Sequence, residues 1–355
     1  MGASPGHLVS EVAQVKSYSM GAYCNEFEKQ VVKRMNVLGA VGVTSGSDAI
    51  LISLLALGIK PGDKVMVQDR SWIAAANAIA ILGAIPIFVD VMHDVPTLCI
   101  SDLRQKYSPE VRALIIVHMN GRHKNLSEIL NFCSSNGFPI IEDAAQAFGS
   151  RIGDKFLGTF GVIGCFSLSI AKIVGSGQGG FCVTNDLDLV DKLKSMRTHG
   201  TIDTFTASWK HIGFNFRLTD FHAAIATDQL SKLDQRIVRA LEVQNFYELN
   251  LKDIKEIELI PVDFAAGEVG PYIEILVKSK KAELVEYLSG AGVEMRPFYP
   301  AISTATYLGG FGETPNANRF ARLGLYLPSG PAITDLQIEF VTSKIAEFYK
   351  CHQVH

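Results

Sequence analysis

Lys172 is the one charged side chain among the eighteen residues of FSLSIAKIVGSGQGGFCV (166–183). An ammonium group in poorly hydrated surroundings loses charge stabilisation, so its pKa falls and the free amine becomes a nucleophile. The glycines that follow allow a close backbone approach to a bound group. Two further clusters lie upstream. The run PIIEDAAQA puts an acid, Asp143, at the end of an apolar stretch, with Gln146 three residues on. The run AVGVTSGSDA ends in a Ser-Gly turn, where Ser45, Ser47 and the N–H groups of a starting helix suit a phosphate. Singly, these read equally as a snorkelling surface lysine, a capping carboxylate and an ordinary N-cap. Together, a phosphate seat, an acid and an amine of lowered pKa meet the needs of pyridoxal 5′-phosphate (PLP). The lysine would condense with the aldehyde as a Schiff base, the acid would keep the pyridine nitrogen protonated, and Trp72 would offer an aromatic face to the ring.

Such groups meet if they stand at the carboxyl ends of strands in one open sheet. Apolar runs suited to strands occur at 40–43, 65–67, 85–91, 113–118, 139–143, 162–169 and 180–184, and stretches suited to helices at 23–38, 48–57, 72–82, 125–136, 186–197 and 219–250. Continuous apolar strands alternating with helices predict a doubly wound α/β unit, its mainly parallel sheet covered on both faces. Beyond Asn250 the pattern changes to a strand at 272–277 and helices at 281–290, near 315–324 and at 334–349, a smaller α+β unit. The expected division is residues 1–235 and 236–355.

The 355 residues are 48% hydrophobic and 19% charged with a formal net charge of -3, and no Lys/Arg block supplies an electrostatic footprint for nucleic acid or an acidic membrane. Ser71 to Val89 lacks charge, but Gly83 and Pro86 divide it into a buried helix feeding a buried strand rather than a membrane span. Six cysteines without C-x-x-C spacing read as reduced packing residues, and the N-terminus lacks a basic region followed by an apolar one, so the cytosol is the expected compartment. His118 reads as a satisfied strand-end histidine, since no second His or Cys stands at metal spacing, and no metal is expected. His199 reads as a loop residue near the site.

The segments SGSDAI, GIKPGDKVMV, GAIPIFVDV, IIEDAAQAFG, CFSLSIAKIVGSGQGGFCVTND, GFNFRLTDFHAAIATDQL and GVEMRPFYP occur in this order over nearly the whole chain. In this the sequence resembles the DegT/DnrJ/StrS group of PLP enzymes, chiefly aminotransferases acting on nucleotide-linked keto sugars. The resemblance implies an aspartate-aminotransferase-like fold type I, with a large α/β domain whose mixed sheet is mainly parallel and a smaller C-terminal α+β domain. It implies that Lys172 is the Schiff-base lysine and catalytic base, that Asp143 partners the pyridine nitrogen, that Gln146 meets the phenolic oxygen and that Trp72 stacks on the ring. Ser167, Gly46, Ser47 and Asp48 would surround the phosphate, the last two through their backbone. Asn215 would reach the phosphate of a neighbouring subunit, so two chains of a homodimer complete each site.

HMNGR (118–122) departs from the family pattern, and Arg122 is left to face either substrate or solvent; Arg296 and Tyr299 could enter the substrate cleft from the small domain, a structural salt bridge being the other reading for Arg296. The implied activity is transfer of an amino group, with glutamate as a donor and pyridoxamine phosphate as intermediate, to a keto sugar. The product would be an amino sugar for a surface polysaccharide or natural product. A sugar dehydratase, another PLP enzyme or a non-catalytic PLP-binding regulator are the alternatives. Dehydratases of the group carry histidine where this chain has Lys172.

Overall fold

A computed structural model describes residues 5–15, 18–203, 208–309 and 312–352. Seven strands form the larger sheet: β1 (Gly39–Val43), β2 (Lys64–Gln68), β3 (Ile85–Val89), β4 (Val111–Val117), β5 (Ile140–Asp143), β8 (Ile163–Ser167) and β9 (Gly180–Thr184). A short antiparallel pair, β6 (Arg151–Ile152) and β7 (Lys155–Phe156), lies between β5 and β8 in the chain. The sheet order is β1-β9-β8-β5-β4-β2-β3, and β9 runs opposite to the other six strands, which share one direction.

Among the described residues this half holds eight α-helices: α1 (Pro5–Val12), α2 (Ala22–Met35), α3 (Gly46–Ala56), α4 (Ala74–Ile81), α5 (Ile100–Lys106), α6 (Leu126–Ser135), α7 (Leu187–Met196) and α8 (Asp220–Ser231). Strand alternation explains the layering. On β4, Leu114 and Ile116 enter a core shared with α2, α5, α6 and α8, while Ala113, Ile115 and Val117 enter one shared with α3, α4 and α7. Burial on both faces accounts for the continuous apolar runs of the sequence. The uncharged stretch 71–89 is α4 feeding β3, and among the described residues no helix is long and apolar enough to cross a membrane.

The stretch read as one helix over 219–250 is two, α8 and α9 (Leu233–Leu251). At the break Lys232 has φ −99° and ψ 2°, its N–H turns to the Gln229 carbonyl, and the Ser231 hydroxyl donates to Asp228 O. The bend lets Leu230 and Leu233 both enter the large core. Further along α9, Val243, Tyr247 and Leu251 enter a different core. The expected boundary between residues 235 and 236 therefore falls within a helix that serves both cores.

That second core lies against a four-stranded antiparallel sheet in the order β10-β11-β13-β12, built from β10 (Ile257–Leu259), β11 (Ile273–Val277), β12 (Arg296–Pro297) and β13 (Gly324–Leu327). Helices α10 (Lys281–Gly290), α11 (Pro315–Leu323) and α12 (Asp335–His352) complete it. Of these strands the sequence marked β11; the other three have two to four residues each, too few to show a period.

Buried polar contacts join the two sheets. Asp69, just beyond β2, accepts from the N–H and hydroxyl of Ser303 at 2.7 Å each and from the Thr314 hydroxyl. Asp90, just beyond β3, accepts from the N–H groups of Asn316 and Ala317 at 3.0 and 2.8 Å, capping the first turn of α11.

Candidate active site

At the carboxyl edge of the large sheet, β1 turns into α3 through Thr44 and Ser45. Ser45 is the N-cap: its Oγ accepts from the Asp48 N–H at 3.1 Å and donates to the Asp48 carboxylate at 2.7 Å, as does the Thr44 hydroxyl. The N–H groups of Gly46 and Ser47 stand ahead of the first helical carbonyl able to accept from them. A Cβ on Gly46 would come within 2.9 Å of the Ser167 Cβ, so only glycine lets this turn press against the end of β8. Gly46, Ser47 and Ser167 all line one cavity of about 360 Å³.

Asp143 ends β5 inside the same cavity, 5% exposed, with its Oδ1 accepting from the Ala145 N–H at 3.1 Å. Burial raises its carboxyl above the ordinary aspartate value, against the pull of the Ala145 N–H, Lys172 and His118. Lys172 lies on the loop between β8 and β9 and also lines the cavity. Burial lowers its ammonium below the ordinary lysine value; Asp143 opposes that and Arg296 adds to it. Gln146 lines the cavity too, its Oε1 accepting from the Asn120 N–H at 2.9 Å. A backbone N–H can only donate, so the end of this amide available to a ligand is the donor Nε2.

The facing wall is aromatic and comes largely from the small sheet. Trp72, 48% exposed, packs edge-on against Tyr299 at 4.6 Å between ring centroids. The Arg296 guanidinium stands 4.8 Å from the Tyr299 ring and 5.1 Å from that of Tyr326, with no carboxylate within ion-pair distance of it among the described residues. Tyr272 and Tyr326 complete this wall; neither was singled out in the sequence, because each shares the cavity with Lys172 across some hundred residues or more of chain and local pattern carries no such pairing.

Asp48, Asn215 and Arg122 do not line this cavity. The Asp48 carboxylate and N–H are taken up by the cap, so this residue braces the turn and is not part of the cavity lining. Asn215 is exposed, accepts from Arg217 Nε at 2.9 Å and lies outside the cavity of its own chain. Arg122 faces neither substrate nor solvent, contrary to expectation: its side chain is 1% exposed, pairs with Glu274 on β11 at 2.5 Å, and donates through Nε to Pro261 O and through Nη2 to Ile260 O. A buried guanidinium needs such saturation, and the small sheet provides it. His118 is the satisfied histidine expected, its Nε2 2.8 Å from Glu142 Oε2 and its Nδ1 3.3 Å from Arg122 O. His199 lies outside the cavity lining, its ring 6.3 Å from that of Phe214. No metal-holding cluster occurs among the described residues.

The lining fits PLP: N–H groups and hydroxyls at one end, a buried acid that gains from a cationic partner, an amine of lowered pKa, and room in the range of ligand sites. The sequence signature of the DegT/DnrJ/EryC1/StrS aminotransferase family matches residues 3–346. The GDP-perosamine synthase of Escherichia coli O157:H7 is 33% identical over 333 residues, 93% of this chain and 91% of that protein. The dTDP-3-amino-3,4,6-trideoxy-alpha-D-glucose transaminase of Streptomyces venezuelae is 30% identical over 347 residues, 96% of this chain and 90% of that protein. Among solved structures, Streptomyces venezuelae DesV in complex with a ketimine intermediate superposes with a TM-score of 0.92 at 30% identity, covering 97% of this chain and 94% of its own. The family match, the superposition and the near-complete coverage agree, and this chain belongs to the DegT/DnrJ/EryC1/StrS aminotransferase family.

Proposed function

We propose that this chain is a PLP-dependent aminotransferase that moves an amino group, with glutamate as donor, onto a nucleotide-linked keto sugar. The observation that carries the assignment of roles is the pairing of Lys172 with Asp143 in one cavity, the pKa of one lowered and of the other raised by burial. PLP, when bound, supplies an acceptor for the electron pair left when a carbon next to nitrogen gives up its proton. Lys172 bears the cofactor and moves that proton. Asp143 stays anionic opposite the ring nitrogen, Gln146 donates to the phenolic oxygen, and Trp72 lies against the ring. Gly46, Ser47 and Ser167 seat the phosphate on a turn that Asp48 braces.

In this reading residues 1–235 hold the cofactor. Residues 236–355 supply Arg296 and Tyr299 to the sugar end. The functional unit is a homodimer in which Asn215 reaches the partner's phosphate. Its exposure, beside Ile212 and Phe214 at 80% and 66% exposed, supports a covering second copy. Work in the cytosol accords with six unpaired cysteines. A lysine at position 172, able to bear the cofactor and to return a proton, favours amination over sugar dehydration. Borohydride reduction followed by peptide mapping should place pyridoxyl on Lys172. A single turnover from the aminated enzyme with the correct keto sugar should yield amino sugar; a deoxygenated keto sugar with free ammonia would make the chain a dehydratase.

A further inference from the structure

The chemistry proposed above requires Lys172 to let go of the cofactor, to carry a proton while free, and to return. A free lysine side chain has four rotatable carbons' worth of rotamer freedom, and something must keep its amine at the reacting carbon. Asp143 is committed to the ring nitrogen in that reading, and Arg296 repels an ammonium.

Among the described residues, the side chain hydrogen-bonded to the amine is that of Tyr272, immediately ahead of β11. Its hydroxyl donates to Ala171 O at 3.0 Å and accepts from Lys172 Nζ at 3.4 Å, while its ring centroid lies 5.7 Å from the same nitrogen. With its hydrogen pledged to a carbonyl, the phenol presents lone pairs to the amine. Burial, opposed by Arg296 and aided by Glu274, pushes the Tyr272 hydroxyl up to about 12, so it stays protonated at neutral pH. An amine that donates an N–H to Tyr272 keeps its own lone pair for a proton. At 3.4 Å the contact is long for a hydrogen bond, which suits a resting place that must release.

Asn120 fixes where Tyr272 stands. Its amide grips the Tyr272 backbone at two points, Nδ2 to the carbonyl at 2.9 Å and Oδ1 from the N–H at 3.0 Å, and Nδ2 also reaches Glu274 at 3.2 Å. Its own N–H holds Gln146. One fully buried residue, with φ 51°, thus ties the large sheet's side of the cavity to the strand that carries Tyr272. The αL backbone that makes both reaches possible suits asparagine or glycine.

We propose that Tyr272 is a catalytic residue that holds the Lys172 amine whenever it is free of cofactor, and that Asn120 is its positioning residue. This rests on the reading of Lys172 as the cofactor-bearing amine. Asp143 from β5, Arg296 from β12 and Tyr272 ahead of β11 act on that amine directly, and the other titratable groups lining the cavity with it are Tyr326 from β13 and Tyr299.

The test is brief reductive methylation of the full chain freed of cofactor, with formaldehyde and cyanoborohydride. Label at Lys172 is read by peptide mass spectrometry against exposed Lys29 across pH. Removing an acceptor from an ammonium favours the free amine, so Tyr272→Phe, which keeps the ring packed on Tyr326, should label Lys172 about three- to tenfold faster at neutral pH. Its labelling curve should move to lower pH. Asn120→Gly, which keeps the αL backbone and the N–H to Gln146, should move both in the same direction by less. In the loaded enzyme Tyr272→Phe should lower kcat by about tenfold with the donor KM unchanged. Unchanged or slower labelling of Lys172 in folded Tyr272→Phe overturns the role of Tyr272. Borohydride-fixed pyridoxyl on a different lysine overturns the reading of Lys172 itself, so the two failures are distinct.

Discussion

Glu142 and Asp143 are consecutive, both buried and both at the end of β5, yet they belong to different regions. Strand alternation sends their side chains to opposite faces. Glu142 enters a saturated site behind the cavity, accepting from His118 and from the N–H groups of Gly158, Phe160 and Gly161 at 2.5–2.8 Å. Burial alone would raise its carboxyl; the His118 and backbone donors outweigh that and hold it below the ordinary value. Asp143 accepts from the Ala145 N–H, and burial keeps it raised. Arg122, held by Glu274, Pro261 O and Ile260 O, is of the first kind, the cavity around Lys172 of the second. Burial of a charge is common to both regions; the number of groups that answer it separates a structural charge from one held ready for a ligand.

Substitutions in the two regions should therefore fail in different ways. Lys172→Ala should lower transamination by about ten-thousandfold or more while leaving the urea midpoint near that of the parent. A large loss of stability would place Lys172 with the structural charges. Asp143→Asn should cut turnover about a hundred- to a thousandfold with cofactor still retained, as read by absorbance of the purified protein. Turnover near that of the parent would mean that this acid serves the fold instead.

Arg122→Met should do the reverse, costing about 3–5 kcal/mol in urea unfolding because it leaves Glu274 buried without its close partner, with the sugar KM unchanged in what folds. A raised KM with stability intact would return Arg122 to the substrate. The smallest effect concerns acid. Because the native value of Glu142 lies below its ordinary 4.5, its ionised form stabilises the fold above that pH, and the contribution drains away as pH falls through the lowered value. Glu142→Gln should be less stable at neutral pH by about 1–3 kcal/mol and should show a flatter acid limb in stability against pH. An acid limb as steep as the parent's would assign that limb to other carboxylates.

Legibility in the sequence followed the same division. Lys172, Asp143 and the turn at 45–47 could be read because strand ends, glycines and isolated charges are local signals, and a sheet edge gathers them. Arg122 could not, since its partner Glu274 is 152 positions away and its surroundings are set by β11. Tyr272 was hidden for the same reason, marking only the approach to a strand. The division of 219–250 escaped notice because no glycine or proline stands at Lys232; what bends the chain there is the demand of Leu230 and Leu233 for one core.

Helix α9 has a consequence for anyone who would cut this chain. It begins with Leu233 in the core of the large sheet and ends with Val243, Tyr247 and Leu251 in that of the small one. A fragment ending at residue 235 would lose nearly all of α9, and the complementary fragment would start with a helix missing its anchor. Each half expressed alone would present uncovered apolar surface, so split reporters, circular permutants and swaps of small sheets between relatives are better joined in the exposed turn at 252–253, where the helix has already served both cores.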